Sequence, residues 1–183
     1  NECFNEDDDL VFGGTTKTRW SYGCSKAIDE FLARAYHREK KLPLVIVRCC
    51  NTCGPRQTGQ YGMVIPNFVQ KALINKPIVV HGDGSQSRSF THIADVVEAL
   101  IGLMVEPRAE GLVVNVGGTE EVTIKDLALL VKAMAGSESA IEYIPYDKAY
   151  GPGFEDMKRR CPDISRIKEL VGFEPKIDLR GII

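Results

Sequence analysis

The chain lacks any apolar run of the roughly 20 residues that a helical membrane span needs; its 44% of hydrophobic residues are dispersed over 183 positions. A transmembrane helix is therefore not expected. It also lacks a basic block interleaved with aromatics. Lys and Arg number 23 against 25 Asp and Glu, for a formal charge of −2, and the one basic cluster, Lys158 to Arg160, is too short to argue from charge. No nucleic-acid surface is expected. The opening NECFNEDDDL is acidic where a secretory signal would be basic and then apolar, which points to the cytoplasm.

Six cysteines are present, but a second pair at zinc-ligand spacing is missing. Cys49, Cys50 and Cys53 crowd one stretch and include a CxxC, while Cys3, Cys24 and Cys161 are scattered. Structural zinc sites draw four ligands from paired Cys and His. No metal is expected, and the thiols read as reduced, small core hydrophobes.

What is present alternates between two periods. Ala27, Ile28, Phe31, Leu32, Ala35 and Tyr36 recur at three- and four-residue spacing, a helix over 21 to about 40, and after Pro43 the run LVIVR suits a buried strand. CCNTCGPRQTGQYG reads as a loop and VIPNFVQKALI as a helix. PIVVHGDGSQSRSF reads as two short strands around a Gly-Asp-Gly turn, and ADVVEALIGLM as a helix entered at Thr91 or His92. LVVNVGG is a strand ending in glycines; TIKDLALLVKAMAG is a helix with Thr123 as N-cap, Asp126 three residues on and Gly136 as its stop. IEYIPY reads as a strand, and Asp163 caps a last helix, ISRIKELVG. This alternation predicts an α/β fold with a sheet that is parallel at least in part. A boundary is expected near residue 57.

Within RWSYGCSKAIDEF, Tyr22 and Lys26 sit four apart on one helical face. A phenol titrates near pH 10. A neighbouring ammonium favours the phenolate and makes the pair a proton donor or acceptor useful at neutral pH. A solvated Tyr-Lys pair on an exposed stripe has the same spacing, so the pair alone does not identify an active site.

Further motifs follow in order: RWSYGCSK, VRCCNTCGPRQ, GMVIPNFVQKAL, VVHGDGSQSRSFTHIADVVEAL, VNVGGTEEVTIKDLA and RRCPDISRIKELVGFEP. Together, from about Glu6 to Pro175, they resemble the C-terminal part of the extended short-chain dehydrogenase/reductase family, the NAD-dependent nucleotide-sugar epimerases, dehydratases and decarboxylases. The resemblance implies the C-terminal part of a Rossmann-like doubly wound parallel sheet plus a small α/β substrate-binding domain. Residues 1–57 would complete the NAD-binding domain, and 58–183 would be mainly nucleotide-sugar-binding, with some segments returning to the Rossmann sheet.

The resemblance assigns roles residue by residue. Tyr22 would be the acid/base that exchanges a proton with a sugar hydroxyl, and Lys26 would hold the NAD ribose and tune it. Asn51 would bond the sugar or its diphosphate, or else stabilise its own turn. Val64 and Ile65 would offer backbone contacts near the nucleotide. His81 would place its ring against the base or be a strand-end histidine bonded to backbone. Arg88 would grip the diphosphate through paired, charge-assisted hydrogen bonds, with a surface ion pair as the plainer alternative. Arg160, or its neighbour Arg159, would return to the nucleotide, or form a solvated basic turn. Asp95 is read as structural, a carboxylate in a helix's first turn.

The glycine-rich GxxGxxG turn that holds the NAD pyrophosphate is absent, and so is the family's Ser/Thr partner of the tyrosine; Cys53 stands where an aromatic or small residue is usual. The expected reading is thus part of a NAD-dependent enzyme, with half a cofactor site, inactive as it stands. The resemblance leans to a UDP-sugar substrate, with epimerase, dehydratase and decarboxylase outcomes open, and implies a homodimer pairing residues 21–40. The alternative is a non-catalytic module that binds a nucleotide sugar or a partner chain.

Overall fold

The computed structural model describes residues 3–17, 19–59, 62–151, 154 and 156–183. Part of the loop reading at GQYG, Gln60 and Tyr61, lies outside them. Nine strands, seven α-helices and a 3-10 helix (Pro107–Ala109) are described, and three two-stranded sheets are parallel.

Helix α1 (Arg19–Lys40) leads to strand β1 (Ile46–Cys49). β1 pairs in parallel with β6 (Val113–Val116), Val47 opposite Val114. Because β6 is buried at all four positions, its apolar run does not alternate. Helices α3 (Ile93–Val105) and α6 (Ser165–Val171) cover this pair, and Val96, Ala99, Leu103, Val114, Val116 and Ile167 form one core.

A second core joins α2 (Val64–Leu73), β3 (Ile78–His81), α4 (Ile124–Met134) and the terminal α7 (Leu179–Ile182) through Phe68, Ile78, Val80, Leu127, Val131 and Leu179. β3 pairs in parallel with β8 (Ile141–Ile144). Two short strands, β2 (Thr52–Cys53) and β5 (Thr91–His92), pair in parallel between these regions. β4 (Ser87–Ser89) lies between antiparallel β7 (Glu121–Thr123) and parallel β9 (Arg159–Arg160).

Local chemistry accounts for the element ends. The Thr123 hydroxyl accepts from Asp126 N at 3.0 Å and donates to the Asp126 carboxylate at 2.6 Å, a variant of the capping box. His92, one of the two expected entry residues, caps α3 by accepting from Ala94 N at 3.1 Å. The Asp163 carboxylate accepts from Ser165 N at 2.8 Å in the turn before α6; the N-cap position itself is Ile164, one residue after the expected Asp163, and it has no side-chain cap.

The two strands expected around Gly82-Asp83-Gly84 are β3 and β4, and they enter different sheets, β3 beside β8 and β4 beside β7 and β9. Two expectations need correction. The strand read over IEYIPY ends at Ile144, because Pro145 at φ −55° starts a short helix, α5 (Tyr146–Tyr150). α6 is not the last helix: Asp178 caps α7 by accepting from Gly181 N.

Candidate functional site

Asn51, Val64, Ile65, His81, Arg88 and Arg160, scattered over more than half the sequence, line one cavity of about 720 Å³. Each arrives by a local device. Asn51 adopts φ 44°, a left-handed conformation that asparagine tolerates. Its amide donates to Ser89 O at 2.7 Å, so it ties the loop after β1 to β4 rather than only to its own turn. Val64 and Ile65 form the first turn of α2, where backbone N–H groups have no intrahelical acceptor, and Met63 supplies no side-chain cap. Pro66 fits there because its missing N–H would have been unpaired anyway.

His81 ends β3. Its Nδ1 lies 2.8 Å from the Tyr150 hydroxyl and its ring meets Tyr150 edge-on, 5.0 Å between centroids. It is thus bonded to a side chain rather than to backbone. Tyr150 in turn stacks on Phe154 at 4.2 Å, and Tyr146 lies tilted against Phe154 at 5.6 Å. These three rings build an aromatic wall.

Arg88 is the most firmly held cation. One guanidinium nitrogen donates to Ser87 O and Met157 O at 2.7 and 2.8 Å, and the other to the Asp156 carboxylate at 2.8 Å. Only 11% of its side chain is exposed. Burial pulls its pKa below the usual arginine value, with Asp156 opposing; an arginine remains charged. The second Asp156 oxygen accepts from Arg19 at 2.8 Å, and the Tyr146 hydroxyl donates to Asp156 at 3.2 Å. Burial, then Asp156, pushes the Tyr146 phenol up to about 12. Arg160 pairs with Arg88 across β4 and β9 and is more open to solvent, while Arg159 bonds Glu121 instead. Among the described residues, four cationic side chains (Arg19, Lys71, Arg88, Arg160) and one carboxylate, Asp156, thus line the cavity.

Tyr22 and Lys26 lie elsewhere on α1. Neither lines the cavity, although Arg19, one turn before Tyr22, does. Tyr22 is 71% exposed, and Lys26 Nζ pairs with Asp29 at 2.6 Å. Asp95 is buried and accepts from Lys176 N and Ile177 N, both at 3.2 Å, in keeping with a structural role. All six cysteines are free. Cys53 lines the cavity, and burial raises its thiol to about 11.

Sequence reasoning missed Arg19, Tyr146, Tyr150, Phe154 and Asp156. The signal was there for two of them: Tyr146 and Tyr150 are four apart after a proline, the spacing of one helical face. For Asp156 nothing local marks a bridge to Arg19, 137 positions away in sequence.

The family described as GDP-mannose 4,6 dehydratase matches residues 13–183. Among curated proteins, the chain is 40% identical over 175 residues to a UDP-N-acetyl-alpha-D-glucosaminuronate decarboxylase of Bacillus cytotoxicus, covering 95% of this chain and 54% of that protein. It is 39% identical to UDP-glucuronic acid decarboxylase 2 of Arabidopsis thaliana, covering 88% of this chain and 35% of the relative. The chain thus spans about a third to a half of these relatives. Among solved structures, UDP-glucuronic acid 4-epimerase of Bacillus cereus, with UDP-glucuronic acid and NAD, matches at TM-score 0.78 and 28% identity over 88% of this chain and 49% of that one. The dTDP-glucose 4,6-dehydratase of Streptomyces venezuelae, with NAD, matches at TM-score 0.84 and 25% identity over 100% of this chain and 52% of that one.

Proposed function

The chain belongs to the GDP-mannose 4,6 dehydratase family, and we propose that it supplies the nucleotide-sugar site of a NAD-dependent enzyme that decarboxylates a UDP-linked uronic acid. The observation that carries this is the cavity in which, among the described residues, four cationic side chains and an aromatic wall surround one carboxylate. A nucleoside diphosphate sugar has a flat base and a dianionic diphosphate, and both find complementary chemistry there. The identities to two decarboxylases favour loss of carbon dioxide over epimerisation or dehydration.

In this reading Arg88, immobilised by Ser87 O, Met157 O and Asp156, holds the diphosphate without paying rotamer entropy on binding. Arg160 closes on it from the neighbouring strand. The open N–H groups of Val64 and Ile65 and the rings beside His81 receive the nucleoside. Asn51 Oδ1, the acceptor end of an amide whose nitrogen is held by Ser89 O, faces the sugar. Tyr22 takes the proton from the C4 hydroxyl of the sugar, and Lys26 holds the cofactor ribose. NAD, when bound, supplies the acceptor for the electrons of that oxidation. The exposed phenol and ammonium on one face of α1 suit a ribose diol and an adjoining reactive ring, but residues 1–183 contain no GxxGxxG turn for the pyrophosphate. The residues present therefore fit one end of NAD.

We assign residues 1–57 to the cofactor side and 58–183 mainly to the nucleotide-sugar side, with β6, α3 and α6 returning to β1. Ile28, Phe31, Leu32 and Tyr36 expose an apolar face along α1, which supports a homodimer through this helix.

Incubation with NAD and either UDP-glucuronate or UDP-N-acetylglucosaminuronate tests the proposal. Carbon dioxide release that disappears in Tyr22→Phe supports it. Turnover that retains the carboxylate would replace decarboxylation by epimerisation. A second reading, a module that binds the nucleotide sugar without turnover, is favoured by the exposure of Tyr22 and the Lys26–Asp29 pair; binding without any turnover would establish it.

A further inference from the structure

Outside the cavity, two thiols far apart in sequence meet. The segment around Phe4 runs beside the residues that follow β9: Phe4 N donates to Cys161 O at 2.9 Å, Asp163 N donates to Phe4 O at 2.8 Å, and Phe4 and Pro162 form a parallel bridge. This backbone pairing brings Cys3 beside Cys161, and the Cys3 thiol donates to Cys161 Sγ at 2.7 Å. Both are free. Cys161 is 2% exposed, while Cys3 is half-buried and so open to a small reagent. We propose that Cys3 and Cys161 are a dithiol modification site that peroxide converts to a reversible disulfide, stapling the N-terminal segment to β9.

The surroundings suit that chemistry. The Arg159 guanidinium donates to Cys3 Sγ at 3.5 Å. Glu121, held by Arg159 at 2.9 Å, lies in the same cluster, its carboxylate within 4.8 Å of both sulfurs. In the first step Cys3 sulfur attacks a peroxide oxygen, the O–O bond breaks, and an alcohol or water leaves with the Cys3 proton, giving a sulfenic acid. In the second, Cys161 sulfur attacks the Cys3 sulfur, the S–O bond breaks, and hydroxide leaves as water with the Cys161 proton, relayed by Glu121. Two thiols are oxidised by two electrons and one peroxide is reduced. A dithiol reverses it by exchange.

Cys3, Glu121 and Cys161 also lie close enough to share a metal ion. Arg159 argues against that use. Its guanidinium sits among the three and already pairs with Glu121, so a divalent cation would face a resident positive charge.

The staple bears on the candidate site because Cys161 directly follows Arg160, which pairs with Arg88. The test does not depend on that site's function. The reduced, purified protein is titrated with hydrogen peroxide and its tryptic peptides are mapped without reductant. The expected result is a cross-link between the peptide ending at Lys17 and Cys161–Arg166, loss of two thiols restored by dithiothreitol, and a Tm raised by roughly 5–10 °C. Cys3→Ser and Cys161→Ser abolish the cross-link, and Cys24→Ser leaves it. Oxidation confined to other cysteines overturns the proposal, as does one equivalent of zinc bound and lost in both serine variants. The wild-type peptide map decides even if a variant fails to fold.

Discussion

Asp156 is where residue chemistry is most exposed to test. Its carboxylate satisfies Arg19 and Arg88 together, and both guanidiniums are largely withdrawn from water. Asp156→Asn keeps the shape and removes the charge, leaving two cations short of a partner. The expected cost is about 1–3 kcal/mol of stability, read from urea unfolding, with a smaller loss where a nucleoside diphosphate is present to replace the missing anion. Glu106 carries the clearest pH signature. Its bidentate contact with Arg108 holds the carboxyl well down, at about 2. A depressed carboxylate stabilises the fold fully above its unfolded value of about 4.3, and that contribution fades as pH falls towards 2. An NMR titration should place the Glu106 midpoint near 2 and return it towards 4 in Arg108→Ala. At this scale the grouping of Asn51, Val64, Ile65, His81, Arg88 and Arg160 in one cavity was legible, and the separation of Tyr22 and Lys26 from it was not. Residue type plus family order located them. Asp156 was not legible, because a bridging carboxylate has no local pattern and is defined only once β4 and the start of α1 have met.

Elements were legible where one physical rule governed them. The α4 cap was readable because Thr followed by Asp at three residues is itself the hydrogen-bonding unit. Thr123→Ala should cost about 1 kcal/mol, measured by thermal unfolding, and Thr123→Ser should restore most of it. The strand ending in glycines was readable as an element, but the reason for Gly118 was not. A side chain there would collide with the Phe90 carbonyl. That is backbone, which cannot swing aside, so Gly118→Ala should destabilise by about 1–3 kcal/mol. The missed strands, β2, β5, β7 and β9, are two or three residues long. Strands this short are set by their partners rather than by their own alternation.

Two cores, each crossed by distant segments, organise the whole molecule. β1 depends on β6 and α6 for cover, so the boundary expected near residue 57 does not separate the packing. The α/β class followed from alternating periods; the distribution of strands over four small sheets did not, because register is a tertiary property. α1 stands apart, with Ala27 its one buried residue among those described. If its apolar face pairs two copies, Phe31→Glu should convert a dimer to a monomer in sedimentation equilibrium, and an unchanged mass would exclude this helix as the interface. The central claim, that the cavity takes a nucleoside diphosphate sugar, is tested most directly by calorimetric titration with UDP-glucuronate, comparing wild type with Arg88→Ala. The account predicts saturable binding that weakens by about 10–150-fold in the variant, the worth of a charged hydrogen-bonded contact. Absence of binding in the wild type, or equal affinity in the two proteins, would contradict it.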